Sequence, residues 1–210
     1  MKTILQLNAS ILSDNGQSTR LANEFTSALR REAPEVKLIV RDFARDPVPH
    51  LDAERFGAFI AKPEARTLKQ DAFVAYSDGL TGELKQADVI VLGLPMYNFG
   101  VPSTLKAYFD HIARAGVTFR YTEKGPQGLL TGKKAYVFAT RGGLYSGTPL
   151  DTQTSYVRDF LRFLGIDDVE FIYAEGLAMG DAAKADALAK AGHAIQALSA
   201  RELAHEPFAA

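Results

Sequence analysis

The side chains of this sequence that could do chemistry fall in three loops, and the first is dense in hydroxyls: Asn8-Ala-Ser-Ile-Leu-Ser-Asp-Asn-Gly-Gln-Ser-Thr19. A phosphate there would accept bonds from the Ser10, Ser18 and Thr19 hydroxyls and from amides at a helix start, where the first N–H groups are unpaired and the dipole favours an anion. No lysine is required. Read alone, the same residues also fit a solvated turn in which Ser18 caps the helix. Ten or so residues between strand and helix exceed the usual connection of about 2 to 6, which favours a loop shaped for a ligand.

The second loop, Gly93-Leu-Pro-Met-Tyr-Asn-Phe-Gly-Val-Pro102, follows an apolar run. A flat tricyclic ring such as a flavin needs apolar or aromatic faces and polar atoms at its rim; Met96, Tyr97 and Phe99 offer the first, Asn98 and backbone amides the second. The third loop, Ala139-Thr-Arg-Gly-Gly-Leu-Tyr-Ser-Gly147, has glycines that permit close backbone approach. Amides at Gly142 and Gly143 would meet the ring's edge and stabilise negative charge on it. Lys106 and Asp110, four apart on one helix, read as a surface ion pair.

Rival chemistries fail on residue types. Gly128-Leu-Leu-Thr-Gly-Lys-Lys134 is one residue short of a Walker motif and ends in lysine where a hydroxyl should hold magnesium. No G-x-G-x-x-G follows the first strand, so a dinucleotide is not expected in the Rossmann manner. With no cysteine in 210 residues, disulfides, thiolate zinc sites and cysteine nucleophiles are excluded. His50, His111, His193 and His205 lack metal-ligand spacing and read as structural or solvated, so no metal is expected. A net charge of -1 argues against a nucleic-acid partner. No apolar run approaches the ~18 to 20 residues that cross a bilayer, and a cytoplasmic location is expected.

These loops must be positioned by something, and the alternation of the chain says what. Strands are expected at Thr3 to Leu7, Val36 to Arg41, Asp88 to Leu92, Lys134 to Ala139 and Val169 to Tyr173. Helices are expected at Ser18 to Arg31, Leu68 to Lys85, Ser103 to Arg114, Thr154 to Leu164 and Ala182 to Leu203. Ile4-Leu5, Val89 to Leu92 and Tyr136 to Phe138 lack polar alternation, as parallel strands covered on both faces do. The pattern specifies one α/β domain over residues 1–210, a doubly wound five-stranded parallel sheet whose ligand sits outside the carboxyl ends of its strands. Asp46 to Pro63 and Val117 to Leu130 interrupt the scheme as insertions that could wall a site.

On Ser10 with Gly16-Gln17-Ser18, Pro95-Met96-Tyr97-Asn98-Phe99 with Pro102 and Leu105-Lys106, Phe119 to Gly132, and Thr140-Arg141-Gly142-Gly143, the chain resembles the flavodoxin-like FMN-dependent NADH azoreductases and quinone reductases of bacteria. The resemblance spans nearly the whole chain. It implies strand order 2-1-3-4-5, a homodimer with an FMN in each of two sites at the interface, and a ping-pong cycle. NADH or NADPH would be the donor, quinones and azo compounds the small aromatic acceptors. Carried over by position, Ser10, Gly16, Gln17 and Ser18 hold the phosphate, Met96, Tyr97, Asn98 and Phe99 flank the ring, and Thr140, Arg141, Gly142 and Gly143 contact its edge. No side chain is assigned as catalytic, because the chemistry is the flavin's. Phe59, Phe119, Tyr121 and Tyr145 are expected to line the substrate slot; family members commonly carry histidine where this chain has Tyr145. Two other classes remain: a one-electron carrier, against which near-neutral charge argues, and a flavin-free scaffold of the same fold.

Overall fold

The structure is a computed structural model that describes residues 2–204. In chain order its elements are β1 (Thr3–Asn8), a 3-10 turn (Ser13–Asn15), α1 (Gln17–Glu32), β2 (Lys37–Asp42), α2 (Ala53–Ile60), a second 3-10 turn (Pro63–Ala65), α3 (Leu68–Gln86) and β3 (Val89–Pro95). There follow α4 (Ser103–Ile112), β4 (Phe119–Thr122), β5 (Gly125–Gly128), β6 (Lys134–Thr140), α5 (Thr152–Phe163), β7 (Asp168–Ala174) and α6 (Asp181–Ala204). The main sheet has five parallel strands in the order β2-β1-β3-β6-β7. This is the expected 2-1-3-4-5 order, because β4 and β5 pair with each other as a separate antiparallel hairpin.

Sequence periodicity explains the layers. Successive side chains of a strand point to opposite faces, and on β3 Val89 and Val91 pack toward α1 and α6 while Ile90, Leu92 and Leu94 pack toward α3, α4 and α5. The stripe Leu21, Phe25 and Leu29 of α1 is buried against that first face, where Phe25 meets Tyr136 edge-on at 4.9 Å between centroids. Every residue of β1 and β3 is buried, as strands covered on both sides must be. The edge strands β2 and β7 are half-exposed and carry charged residues such as Lys37, Arg41 and Glu170, which blunt them as templates for further pairing.

Both insertions contain elements that the alternation did not specify. Asp46 to Pro63 holds α2, whose N-terminus is capped by the Asp52 side chain accepting the Arg55 amide at 2.8 Å. Val117 to Leu130 holds the β4–β5 hairpin, anchored where Leu130 N–H donates to Leu164 O at 2.9 Å and where a Cβ on Gly128 would collide with the Gly165 backbone. No helix among the described residues is long and apolar enough to cross a membrane.

Candidate functional site

The chain reverses direction across the sheet between β1 and β3, because β1 leads to β2 on one side and β3 lies on the other. At such a switch point the loops leaving the strand ends diverge and open a crevice. The loops after β1, β3 and β6 all end there.

The first loop is Ala9 to Gly16, since α1 begins at Gln17. Its N-cap is Gly16, with no side-chain capping bond, so Ser18 is a helical residue and the capping reading of that serine is overturned. Ser18 Oγ and Thr19 Oγ1 are instead fully buried with no partner among the described residues. A buried hydroxyl left unbonded costs of order 1–3 kcal/mol, so two side by side at a helix start make a candidate place for a bond from a ligand. Glycine is required at 16 because a Cβ there would collide with Ser10 Oγ. It is required at 93 because a Cβ would stand 2.9 Å from the Ser18 carbonyl oxygen, so β3 and α1 meet at backbone contact.

The second loop is a tight turn. Tyr97 and Gly100 exchange backbone bonds at 3.1 and 3.0 Å around Asn98 and Phe99, both at positive φ (49° and 63°). Two positive values in succession make a type I′ turn, and a phenylalanine in it is a strained choice held by its surroundings. Those surroundings lie on α5. Gln153 Nε2 donates to Pro95 O at 2.9 Å and Gly100 O at 3.2 Å, and the Thr152 hydroxyl donates to the Phe99 carbonyl. The Tyr97 hydroxyl reaches back to Ser10 Oγ at 3.4 Å and takes the Ile11 amide at 3.3 Å, so the second loop braces the first. Met96 and Tyr97 are half-buried, while Asn98 and Phe99 are exposed. The N–H groups of Asn98 and Phe99 have no partner among the described residues.

The third loop departs from expectation in one residue. The Arg141 side chain is fully buried and turned away from the crevice: it meets Asp151 at 2.8 Å, Glu175 at 3.1 Å and Thr154 Oγ1 at 2.9 Å, and lies 5.0 Å over the Tyr173 ring. Its N–H and carbonyl are also used, by Ala174 and Leu177. Arg141 therefore shapes the loop through both Nη atoms, and only its buried Nε is left without a partner among the described residues. Burial alone would raise the Asp151 carboxyl, but the bonds from Arg141 and Thr154 outweigh it and hold its pKa below the usual range. Glu175 Oε1 also accepts the Tyr145 and Ser146 amides, both at 2.9 Å. Gly142 and Gly143 lend their carbonyls to Ala178 and Gly176 while their own N–H groups have no partner among the described residues. Those two amides are free to donate. Thr140, at the end of β6, gives its carbonyl to Met96 N–H at 3.0 Å.

The four expected slot residues separate. Tyr145 packs on Gly143 and meets Phe99 edge-on at 5.7 Å, inside the crevice. Phe59 lies beyond the far end of α4, between His111 (5.8 Å between centroids) and the Arg114 guanidinium (4.2 Å). Phe119 is buried against Phe163 at the far end of α5, and Tyr121 beside it is 75% exposed. Helices α4 and α5 run back from the crevice along the sheet, about 15 to 18 Å at 1.5 Å per residue. Within one chain, Phe59, Phe119 and Tyr121 do not join Phe99 and Tyr145.

Other expectations resolve simply. Lys106 meets Asp110 at 2.6 Å on an exposed face of α4. His50 and His193 are exposed; His111 is buried, gives or takes a bond with Pro49 O at 3.0 Å, and burial pushes its pKa down. His205 lies outside the described residues. No cluster of three or more potential metal ligands exists among those described. Sequence reasoning missed Gln153 and Thr152, whose only signal was their place at the start of a helix following the third loop.

A family model described as flavodoxin-like fold matches residues 2–198. Curated relatives include an FMN-dependent NADH:quinone oxidoreductase of Cellvibrio japonicus, 56% identical over 196 residues, 93% of this chain and 98% of the relative. FMN-dependent NADH:quinone oxidoreductase 6 of Burkholderia lata is 56% identical over 197 residues, 94% of this chain and all of the relative. Among solved structures, an FMN-dependent NADH-azoreductase from Bacillus anthracis in complex with FMN matches with a TM-score of 0.87 at 26% identity, over 96% of this chain and 99% of that one.

Proposed function

We propose that this chain, which belongs to the flavodoxin-like fold family, is an FMN-dependent NADH:quinone oxidoreductase that also cleaves aromatic azo compounds. The observation that carries the cofactor is the pair of buried, unbonded hydroxyls on Ser18 and Thr19 at the start of α1. They lie at the start of the helix that follows β1, and the loops after β3 and β6 carry the unpaired amides of Asn98, Phe99, Gly142 and Gly143 at the same carboxyl end of the sheet. The phosphate would be held by Ser10, Gly16, Gln17 and Ser18, and the ring would lie along Met96 to Phe99 with its edge at the third loop.

When bound, FMN supplies two-electron transfer between a nicotinamide and an aromatic acceptor. The chain supplies the rest. The α1 N-terminus neutralises the phosphate. The Gly142 and Gly143 amides stabilise negative charge at the ring's edge without reorganising. Phe99 and Tyr145 form an apolar wall on which the donor and then the acceptor lie flat, one after the other, as a ping-pong cycle requires. A quinone takes up two electrons and two protons per NADH. An azo bond needs two such rounds to give two amines, with the protons drawn from water.

The same reading makes the protein a homodimer. Phe59 and Tyr121, remote from the crevice of their own chain, can wall a slot only in another copy, with buried Phe119 backing Tyr121, and the exposure of Tyr121 leaves it available for that. A cytoplasmic setting, with NADH at hand, suits the reaction.

Holoprotein mixed with NADH and a benzoquinone should consume NADH over many turnovers without a partner protein, giving parallel double-reciprocal lines. Purified protein without flavin absorbance that takes up no FMN would sink the proposal. Multiple turnover absent in a flavin-loaded protein would leave an electron carrier. Sedimentation should give twice the chain mass.

A further inference from the structure

The phosphate end of the crevice is fastened from outside by side chains that are not among those assigned to the ligand. Asp42 is the last residue of β2, opposite Asn8 in the strand register, and its side chain is 10% exposed. Its Oδ2 accepts a hydrogen bond from the Ser13 hydroxyl, and its Oδ1 accepts the Ala44 amide at 2.9 Å. Arg45 closes the group: Nε donates to Ser13 Oγ at 3.0 Å and stands 3.6 Å from Asp42 Oδ2, while Nη2 pairs with Asp14.

Ser13 is held in a conformation that L side chains rarely adopt, φ +50°. From there its N–H donates to the Ser10 carbonyl at 3.2 Å and its carbonyl accepts Gly16 N–H at 3.0 Å. Ser10 and Gly16 are themselves in such close contact that no Cβ fits on Gly16. Ser13 is therefore tied through its backbone to both ends of the phosphate loop and through its side chain to β2. The field of the cluster is not its purpose: Asp14 and Asp42 would repel a phosphate, and Arg45 offsets that repulsion.

We propose that Asp42, acting through the Ser13 hydroxyl, is a positioning residue for the FMN phosphate, because it locks the Ala9–Gly16 loop in the form that presents the Ser10 hydroxyl and the first amides of α1. This rests on the FMN reading above. Strand β2 does not need the contact to stay in place, since Phe43 N–H bonds Asn8 O at 3.1 Å independently.

The test is flavin affinity, read by fluorescence titration of flavin-free protein with FMN and, separately, with riboflavin, which lacks the phosphate. Ser13→Ala and Asp42→Asn are each expected to weaken FMN about tenfold, the scale of one charge-assisted hydrogen bond. The double variant should lose no more than either single one, because both remove the same contact. Riboflavin affinity should stay unchanged throughout. Unchanged FMN affinity would overturn the clamp, and so would equal losses for both flavins, which mean general damage, or losses that simply add. Wild-type protein that binds neither flavin would overturn the function itself; wild type that prefers FMN, with variants that keep the same preference, would overturn only the clamp.

Discussion

The two ends of the crevice are held by opposite means. The first loop is fastened by Asp42, Ser13, Arg45 and Asp14, of which Arg45 and Asp14 keep 66% and 62% of their side chains in water. The third loop is fastened by Arg141 between Asp151 and Glu175, with 0%, 7% and 14% of their side chains exposed. Water screens the Arg45–Asp14 pair, so that link is weak, and the half-hidden Ser13–Asp42 bond acts mainly on local shape. The second set is desolvated, so each member is costly to lose. The first loop can then be tuned with little effect on stability, whereas the third loop is part of the core that surfaces at the crevice.

The largest expected effect tests the buried end. Arg141→Ala leaves two buried carboxylates facing no cation and should cost about 3–5 kcal/mol of unfolding free energy in urea. A loss under about 1 kcal/mol would mean that the cluster does not hold the loop. The same cluster should be visible in pH. The depressed Asp151 carboxyl contributes stability that is fully present above its ordinary value of about 3.9 and is lost as pH falls through the lower folded value. Unfolding free energy followed from pH 7 to pH 3 should therefore drop at the acid end. In Asp151→Asn part of that drop should vanish, from a lower starting stability; an unaltered acid slope would remove Asp151 from the account.

A smaller effect sharpens the contrast at the other end. Ser18→Ala should weaken FMN binding by about 1 kcal/mol, yet leave the flavin-free protein within about 0.5 kcal/mol of wild type, because the hydroxyl caps nothing. Calorimetric titration beside thermal unfolding separates these, and destabilisation without loss of FMN affinity would restore the capping role. The smallest change is expected for Arg45→Ala, within about 0.5 kcal/mol in stability, as for exposed ion pairs generally. A large loss there would erase the distinction between the two ends.

Much of the fold was legible in the chain. Among the described residues, four of the five sheet strands and five of the six helices lie within two residues of where apolar runs and amphipathic stripes put them, and β3 runs three residues further than expected, to Pro95. The α2 helix and the β4–β5 hairpin were not legible: Ala53–Ile60 is a short amphipathic stretch of about two turns among prolines, and Gly125-Pro126-Gln127-Gly128 carries almost no strand propensity. In the site, hydroxyls and glycines on strand-end loops announced themselves by type and position. Gln153 did not, because one glutamine on an amphipathic helix has no pattern to stand out from.

The sequence by itself determined the order of the elements, which faces of them are buried, and that three ligand-grade loops end on one edge of the sheet. Those properties follow from periods of two and 3.6 residues and from the handedness of parallel crossovers, which are local or nearly so. Only the tertiary structure decided that Arg141 points inward to partners 10 and 34 residues away, that Ser18 is unbonded rather than a cap, and that Phe59, Phe119 and Tyr121 lie far from Tyr145. Which groups meet across such separations depends on how helices dock and which buried charge finds a counter-charge. No local repeat in the chain encodes that.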